Sequence, residues 1–253
     1  MAATCTIRVL VLAAFLAAAA PSVRAQAPSD MPAGCRVPSS AFVDESKLVY
    51  AGKRVTETRR LTVVALGSSS TLGQGASGPH ATWPARLEVD LNRRMPGVAV
   101  TVHNRGKARD DAEQMLKRLE SDVLALKPDI VIWETGTAEA MRHRDVEQFS
   151  AHLQDGIGRI EAGGADVVLV TPQYSRETAR LISYHPYIEA MNSVGTRREV
   201  LLFPRFEVMR HWVESGQMQL DNLTPAQAAG LADRVYDCIA RQIGRVMVRA
   251  MAR

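Results

Sequence analysis

The feature that most limits how this chain can fold is an alternation of short apolar runs and amphipathic segments that begins at Leu61. The apolar runs hold five or six residues, are rich in β-branched side chains, and stop at glycine, proline or polar residues. Such runs are typical of strands that are buried on both faces of a parallel sheet. Strands are predicted over residues 61–66, 98–103, 129–133, 166–170 and 199–203.

The segments between the strands show helical spacing, as in the apolar stripe of Met115, Leu119 and Val123. Helices are predicted over residues 82–95, 110–126, 145–162, 177–194 and 207–214, with a long final helix from Pro225. This alternation, without a repeat or a break in composition, indicates one α/β domain over residues 61–253. A hydrophobic fraction of 46% and a charged fraction of 23% fit such a domain and exclude a fibrous or disordered chain.

The first 25 residues have the pattern of a secretory signal peptide. Arg8 precedes an apolar run of 12 residues, 9–20, and Val23-Arg24-Ala25 supplies small residues at a cleavage site. A membrane anchor would need about 20 apolar residues. Cys5 precedes the apolar run, so it is not the cysteine of a lipoprotein signal. We therefore expect cleavage near Ala25, export to the periplasm or the medium, and no stable membrane span.

Removal of this segment also changes the charge of the protein. The full chain has 31 basic and 27 acidic side chains, for a net charge of +4. Without Arg8 and Arg24, 29 basic side chains remain against the same 27 acidic ones, and the net charge is +2. No block of lysine and arginine is left that would indicate a nucleic-acid surface. Nucleic acid is therefore not an expected partner.

Two cysteines, Cys35 and Cys238, remain after cleavage. An oxidising compartment favours their pairing, with two separate buried thiols as the alternative. A disulfide would tie an N-terminal arm, predicted over residues 26–60, to the final helix. No His-x-x-x-His pair and no Cys/His cluster indicates a zinc site, so neither a metal nor a cofactor is expected.

A functional site is expected at the carboxyl ends of the strands, where ligands bind in sheets of this kind. Gly67-Ser68-Ser69-Ser70-Thr71 directly follows the first strand and brings three hydroxyl groups to that edge. One interpretation is a nucleophilic serine. The alternatives are a polar loop that caps the next helix and a phosphate-binding loop, although no Gly-Lys-Ser/Thr follows.

Three further segments fit the first interpretation. Asn104-Arg105-Gly106 ends the second strand, Gly136-Thr137-Ala138-Glu139 follows the third, and Asp221-Asn222-Leu223-Thr224 precedes the final helix. Together with residues 67–71, this layout resembles the SGNH (GDSL-like) hydrolases over about residues 61–245. The resemblance implies a flavodoxin-like three-layer sandwich, with a five-stranded parallel sheet in the order 2-1-3-4-5 and helices on both faces.

The resemblance also implies residue roles. Ser69 matches the nucleophile, Gly106 matches the glycine whose N–H helps to bind the oxyanion, and Asp221 matches the acid that orients the general base. Two family side chains are missing, because Ala138 stands at the asparagine position and Thr224 at the histidine position. A shift of the last alignment to Asn222 does not recover a histidine either.

Other residues bear on whether the site works. Arg109 occupies a loop position that is usually small and is expected to crowd the oxyanion site. His80, His185 and His211 follow strands one, four and five, so they are the candidate replacements for the missing base. Asp221 has a second interpretation as a helix cap.

The resemblance implies acyl transfer from a carboxylic or O-acyl ester to serine and then to water, with small-molecule or glycan esters as substrates. A serine without a base is a poor nucleophile at neutral pH. The alternative function is therefore a catalytically impaired pseudoenzyme that binds an acylated glycan or a partner protein through the retained pocket.

Overall fold

The structure is a computed structural model that describes residue 1 and residues 31–42, 46–221 and 223–252. Residues from Met31 onward form one compact unit. Almost all of the predicted signal peptide, together with Asn222, lies outside the described residues. No helix among the described residues is long and apolar enough to cross a membrane.

One five-stranded sheet forms the centre of this unit, and all four strand pairings are parallel. The strand order is 2-1-3-4-5, as predicted. Every residue of the third and fourth strands is buried, which explains their continuous apolar sequences. The strands are β1 (Arg60–Gly67), β2 (Ala99–Gly106), β3 (Ile130–Glu134), β4 (Asp166–Val170) and β5 (Leu201–Phe203).

Eleven α-helices are present in the described part of the chain. They are α1 (Val49–Thr58), α2 (Ser69–Leu72), α3 (Trp83–Arg94), α4 (Ala112–Lys117), α5 (Leu119–Asp122), α6 (Thr137–Met141), α7 (Val146–Ala162), α8 (Arg176–Leu181), α9 (His185–Arg198), α10 (Arg205–Glu214) and α11 (Pro225–Met251). Helices α3 and α11 pack together, and α7 packs with α4 and α9. The predicted three-layer α/β architecture is confirmed.

Two predicted helices are broken in the structure. The segment predicted as one helix over 177–194 forms α8 and α9, because Pro186 lacks the N–H that a helix interior needs and instead lies in the first turn of α9. The segment predicted over 110–126 forms α4, α5 and a short 3-10 turn, with a break at Arg118. The side chain of Arg118 binds the Asp110 carboxylate and the Gly67 carbonyl.

The residues before β1 are held to the sheet and to the final helix. Cys35 and Cys238 form a disulfide, and both residues are buried. The side chain of Gln242 donates a hydrogen bond to the Cys35 carbonyl. At the start of α1, the Ala51 N–H donates to the carboxylate of Asp166 at 2.9 Å. Burial raises the pKa of Asp166 above its ordinary value.

Candidate active site

Ser69 is the first residue of α2 and directly follows the turn at the carboxyl end of β1. It is half-buried. The first amides of a helix have no partners within the helix, so the N–H of Ser69 can bind an anionic oxygen. The strand ending, the turn and the short helix together present the Ser69 hydroxyl at the edge of the sheet where ligands are expected.

The N–H that meets this hydroxyl belongs to Arg109. Arg109 N donates to Ser69 Oγ at 3.1 Å, from a backbone in the left-handed region with φ of 66°. The Arg109 carbonyl, in the next peptide unit, accepts a 2.7 Å hydrogen bond from the guanidinium of Arg142, which helps to hold the backbone of Arg109 in place. A backbone N–H in this position can stabilise negative charge that develops beside Ser69.

Gly106 has a different position from the one that its predicted role requires. Its N–H donates to the Asn104 side-chain oxygen at 2.9 Å, and the Asn104 amide donates to the Thr71 carbonyl at 2.8 Å. A Cβ at Gly106 would lie 2.1 Å from the backbone nitrogen of Leu72. Gly106 therefore allows close packing of β2 under α2, and the N–H that reaches the serine comes from Arg109, three residues later.

A buried ion pair lies beneath the serine loop. Arg205 Nη2 donates to Glu134 Oε1 at 3.0 Å, and the two side chains are only 3% and 1% exposed. Glu134 Oε2 accepts hydrogen bonds from the Ser68 N–H, the Ser70 hydroxyl and the Thr71 hydroxyl, at 3.2, 3.0 and 2.9 Å. This carboxylate therefore holds the residues on both sides of Ser69.

Arg205 also makes neutral contacts in the same cluster. Its Nη1 donates to Ser70 Oγ at 2.9 Å, and its Nε donates to the Thr171 carbonyl at 3.0 Å. With these bonds the guanidinium has partners on all three of its nitrogens, which offsets the cost of burying the charge. The cluster connects the ends of β1, β3 and β4 with the start of α10.

Glu139 joins the loop after β3 to the start of α4. Its carboxylate accepts from the Ala112 N–H, the Thr135 hydroxyl at 3.0 Å and the Gly136 N–H at 3.0 Å. Burial raises the pKa of Glu139, although these hydrogen bonds oppose the shift. Ala138, at the position of the family asparagine, is buried and has no side-chain donor to offer an oxyanion.

Thr224 and Asp221 both act as helix caps. The Thr224 hydroxyl accepts from the Gln227 N–H at 3.4 Å, and the two residues form a capping box at the start of α11. Asp221 accepts from the N–H groups of Arg176 and Glu177, at 3.3 and 3.2 Å, in the first turn of α8. Its carboxylate is thus bound to backbone, and no histidine of the described residues is hydrogen-bonded to it.

Among the described residues, the three candidate replacement bases make their observed contacts with residues other than Ser69. His80 is exposed in a 3-10 turn, and the His185 ring is exposed at the start of α9, 6.4 Å from the ring of Phe206. His211 Nε2 lies 3.3 Å from the side-chain nitrogen of Gln217. Within the described residues, the Arg109 N–H is the one hydrogen-bond partner of the Ser69 side chain, so no described histidine is bonded to it. The same part of the chain contains no group of three or more side chains that could hold a metal ion.

The sequence contained a signal for the two charged residues that the predictions missed. Glu134 follows four apolar residues of β3, and Arg205 follows β5 and Pro204. Opposite charges directly after two buried strands lie at the same edge of a parallel sheet, where burial requires that they pair. Each was expected only as part of a loop.

The sheet order and the helices around the sheet are those of solved structures of lipolytic and acylhydrolase proteins, so the chain shares their fold. The chain belongs to the non-GDSL lipase-like family, whose model matches residues 34–253. No curated protein is significantly similar to the chain in sequence.

Solved structures with a similar fold include the three that follow. A protein of the lipolytic G-D-S-L family from Desulfitobacterium hafniense is 21% identical with a TM-score of 0.58, and the match covers 74% of this chain and 99% of that one. A lipase/acylhydrolase from Enterococcus faecalis is 23% identical with a TM-score of 0.55, with 74% and 96% covered. A catalytic mutant of an acetylxylan esterase from Geobacillus stearothermophilus is 16% identical with a TM-score of 0.59, with 76% and 94% covered.

Proposed function

We propose that the chain is an SGNH-type serine hydrolase of carboxylic or O-acyl esters, in which Ser69 is the nucleophile. The observation that carries this proposal is the 3.1 Å hydrogen bond from the Arg109 N–H to Ser69 Oγ at the start of α2. Family membership supports the same reaction class. Small-molecule or glycan esters are the proposed substrates, in line with the acetylxylan esterase among the proteins of similar fold.

In the proposed reaction, Ser69 Oγ attacks the ester carbonyl and the carbonyl oxygen gains negative charge. The N–H groups of Ser69 and Arg109 stabilise that charge. The tetrahedral intermediate then expels the alkoxide, which takes a proton from solvent, and leaves an acyl group on Ser69. Water attacks this acyl group and loses a proton, the acid is released, and Ser69 takes a proton from solvent. The Ser69 proton passes to solvent, because no described side chain is bonded to the hydroxyl as a base.

The absent base sets the expected rate. Removal of the general base from a serine hydrolase lowers turnover by a factor on the order of 10⁶, since the nucleophile and base act as a unit. Attack by Ser69 and attack by water both need proton removal. We therefore expect slow turnover and an acyl-enzyme that persists long enough to be isolated.

The test is mass spectrometry of the intact protein after incubation with p-nitrophenyl acetate. An acetyl adduct that maps to Ser69 and is absent from Ser69→Ala is the expected result. Ser193→Ala is the matched control, because Ser193 is an exposed serine on α9. No adduct on Ser69, together with the same p-nitrophenol release by Ser69→Ala as by the wild type, would overturn the proposal.

A second candidate function is a pseudoenzyme that binds an acylated glycan or a partner protein through the same pocket. The observation in its favour is that Thr224 and Asp221 cap helices. In addition, the Ala138 side chain has no hydrogen-bond donor for an oxyanion. Binding of O-acetylated xylan that is equally strong in the wild type and in Ser69→Ala, with no acyl adduct, would favour this function. Weaker binding by the deacetylated polymer would identify the acyl group as the recognised feature.

We further propose that the protein is exported, with residues 1–25 removed as a signal peptide. The buried disulfide between Cys35 and Cys238 supports an oxidising compartment. Mass spectrometry of the protein from a periplasmic or culture fraction should give a mature chain that starts at Gln26. A cytosolic chain that keeps residues 1–25 would contradict this proposal.

A further inference from the structure

Three arginines lie next to the candidate nucleophile and are called here the arginine rim: Arg109, Arg142 and Arg144. Arg109 touches Ser69 through its backbone, and Arg142 donates to the Arg109 carbonyl at 2.7 Å. Arg142 and Arg144 both bind the carboxylate of Asp111, at 2.9 and 3.2 Å. The rim is thus one connected group that meets Ser69 through the backbone of Arg109.

The positive charge of the rim is incompletely neutralised. The buried carboxylate of Asp111 is shared by two guanidinium groups. The exposed guanidinium of Arg109 makes no hydrogen bond or ion pair with any residue in the described part of the chain. Asp110 is balanced by Arg118, whereas Glu139 accepts only from neutral groups and adds one negative charge when it is ionised. The three guanidinium groups of the rim still outnumber the carboxylates of Asp111 and Glu139, so the group carries a net positive charge.

The backbone of Arg109 has a strained conformation. A φ of 66° is a conformation that side chains other than glycine, asparagine and aspartate adopt at a cost. Strain of this kind often occurs where a residue binds a ligand. Here the strained residue donates its N–H to Ser69 and carries an exposed guanidinium that has no partner among the described residues.

We infer that the Ser69 site takes esters that carry a carboxylate near the scissile bond, and that the Arg109 guanidinium binds this carboxylate. The inference rests on the proposed function of Ser69. A guanidinium suits the role because its planar donors match the two oxygens of a carboxylate. The carboxylate belongs either to the acyl part of the ester or to its alcohol part, as in an acetylated acidic polysaccharide.

The test compares an anionic with a neutral substrate in two pairs. Mono-p-nitrophenyl terephthalate against p-nitrophenyl benzoate places the charge on the acyl part, with acylation of Ser69 as the readout. Acetylated polygalacturonate against acetylated xylan places it on the alcohol part, with released acetate as the readout. The anionic member of at least one pair should react faster, and the advantage should shrink as salt is added.

Arg109→Asn is the diagnostic variant, because asparagine tolerates the left-handed backbone and keeps the N–H that Ser69 accepts. It should lower the anionic-to-neutral rate ratio by a factor on the order of ten, the range for a lost hydrogen bond to a charged group. Lys127→Asn is the matched control: Lys127 is exposed, has φ of 50°, and lies before the amino end of β3. Its ratio should equal that of the wild type.

The outcomes separate this inference from the proposed function. Ser69-dependent reaction with no anionic preference in either pair, or with a preference that Arg109→Asn retains, overturns the inference and leaves the hydrolase proposal standing. No Ser69-dependent reaction in either pair overturns the hydrolase proposal. In that case, anion binding by the rim is tested by affinity electrophoresis in a gel that contains polygalacturonate. Retardation of the wild type that is lost in Arg109→Asn supports an anion site, and equal mobility of the two proteins overturns it.

Discussion

At the scale of single residues, the position of Ser69 depends on groups that do not touch a substrate. Glu134 accepts hydrogen bonds from the serine loop on both sides of Ser69, and Arg205 neutralises the carboxylate from below. Both side chains are almost completely buried. A buried carboxylate that lost its partner would retain its desolvation cost without the compensating attraction.

Arg205→Ala is therefore expected to lower the free energy of unfolding by about 3–5 kcal/mol, the usual cost of breaking a buried ion pair. The loss is measured by urea denaturation followed by circular dichroism. Arg241→Ala is the matched control, since Arg241 pairs with Asp237 within one helix near the surface. That variant should change stability by no more than about 0.5 kcal/mol. Equal effects of the two substitutions would mean that the Glu134 pair does not organise the loop.

The residues of the site were only partly predictable from the sequence. The serine run after a buried strand is a local pattern that predicted a nucleophilic serine, and the motif alignment selected Ser69, whose role stays a prediction. The motif alignment gave the oxyanion role to Gly106, whereas Arg109 supplies the N–H that meets Ser69. This difference depends on the path of the backbone between β2 and α4, with its positive φ at Arg109, and a motif alignment does not encode that path.

At the scale of elements, the site depends on how closely β2 approaches α2. Gly67 and Gly106 are paired at the ends of β1 and β2. A Cβ at Gly106 would lie 2.1 Å from the Leu72 nitrogen and 2.6 Å from the Thr71 carbonyl carbon, so the obstacle is the backbone of α2 itself. The short helix that begins with Ser69 can keep its place only if position 106 has no side chain.

Gly106→Ala should destabilise the protein by about 3 kcal/mol or more, because the clash can be relieved only by a backbone shift. The matched control is Gly230→Ala on α11, where a Cβ would meet nothing within 4 Å. That substitution should stabilise the protein by about 0.5–1 kcal/mol, since alanine is the better helix former. Thermal unfolding of both variants measures the difference. A Gly106→Ala variant as stable as the wild type would show that α2 can shift freely.

Helices and strands were predicted well where the apolar pattern of the sequence matches the burial of the side chains in the fold. The strand predicted over 166–170 has the same bounds as β4, because its apolar residues are buried on both faces. The helix predicted over 177–194 failed at Pro186, where the local rule against proline inside a helix overrides the apolar spacing on either side. The helix predicted over 110–126 is interrupted at Arg118. The side chain of Arg118 binds Asp110 and the Gly67 carbonyl there.

At the scale of the whole molecule, the disulfide connects the residues before the sheet to the helix that ends the fold. Cys35 and Cys238 are separated by 203 residues, so the bond closes a loop that spans most of the chain. Cross-linking a loop of this length lowers the entropy of the unfolded chain. The cross-link acts on stability without touching the Ser69 site, so stability and acylation are expected to respond separately to reductant.

In the chain-entropy model, a loop of this length should stabilise the protein by about 5 kcal/mol. We expect urea denaturation of the oxidised and the reduced wild type to differ by this amount. The control is the double variant Cys35→Ala and Cys238→Ala, which lacks both partners of the cross-link and should be insensitive to reductant. Alanine is preferable to serine because both positions are buried and a serine hydroxyl there would lack a partner. Equal stability of the oxidised and reduced protein would contradict the prediction, since the fold would then hold the N-terminal residues without the cross-link.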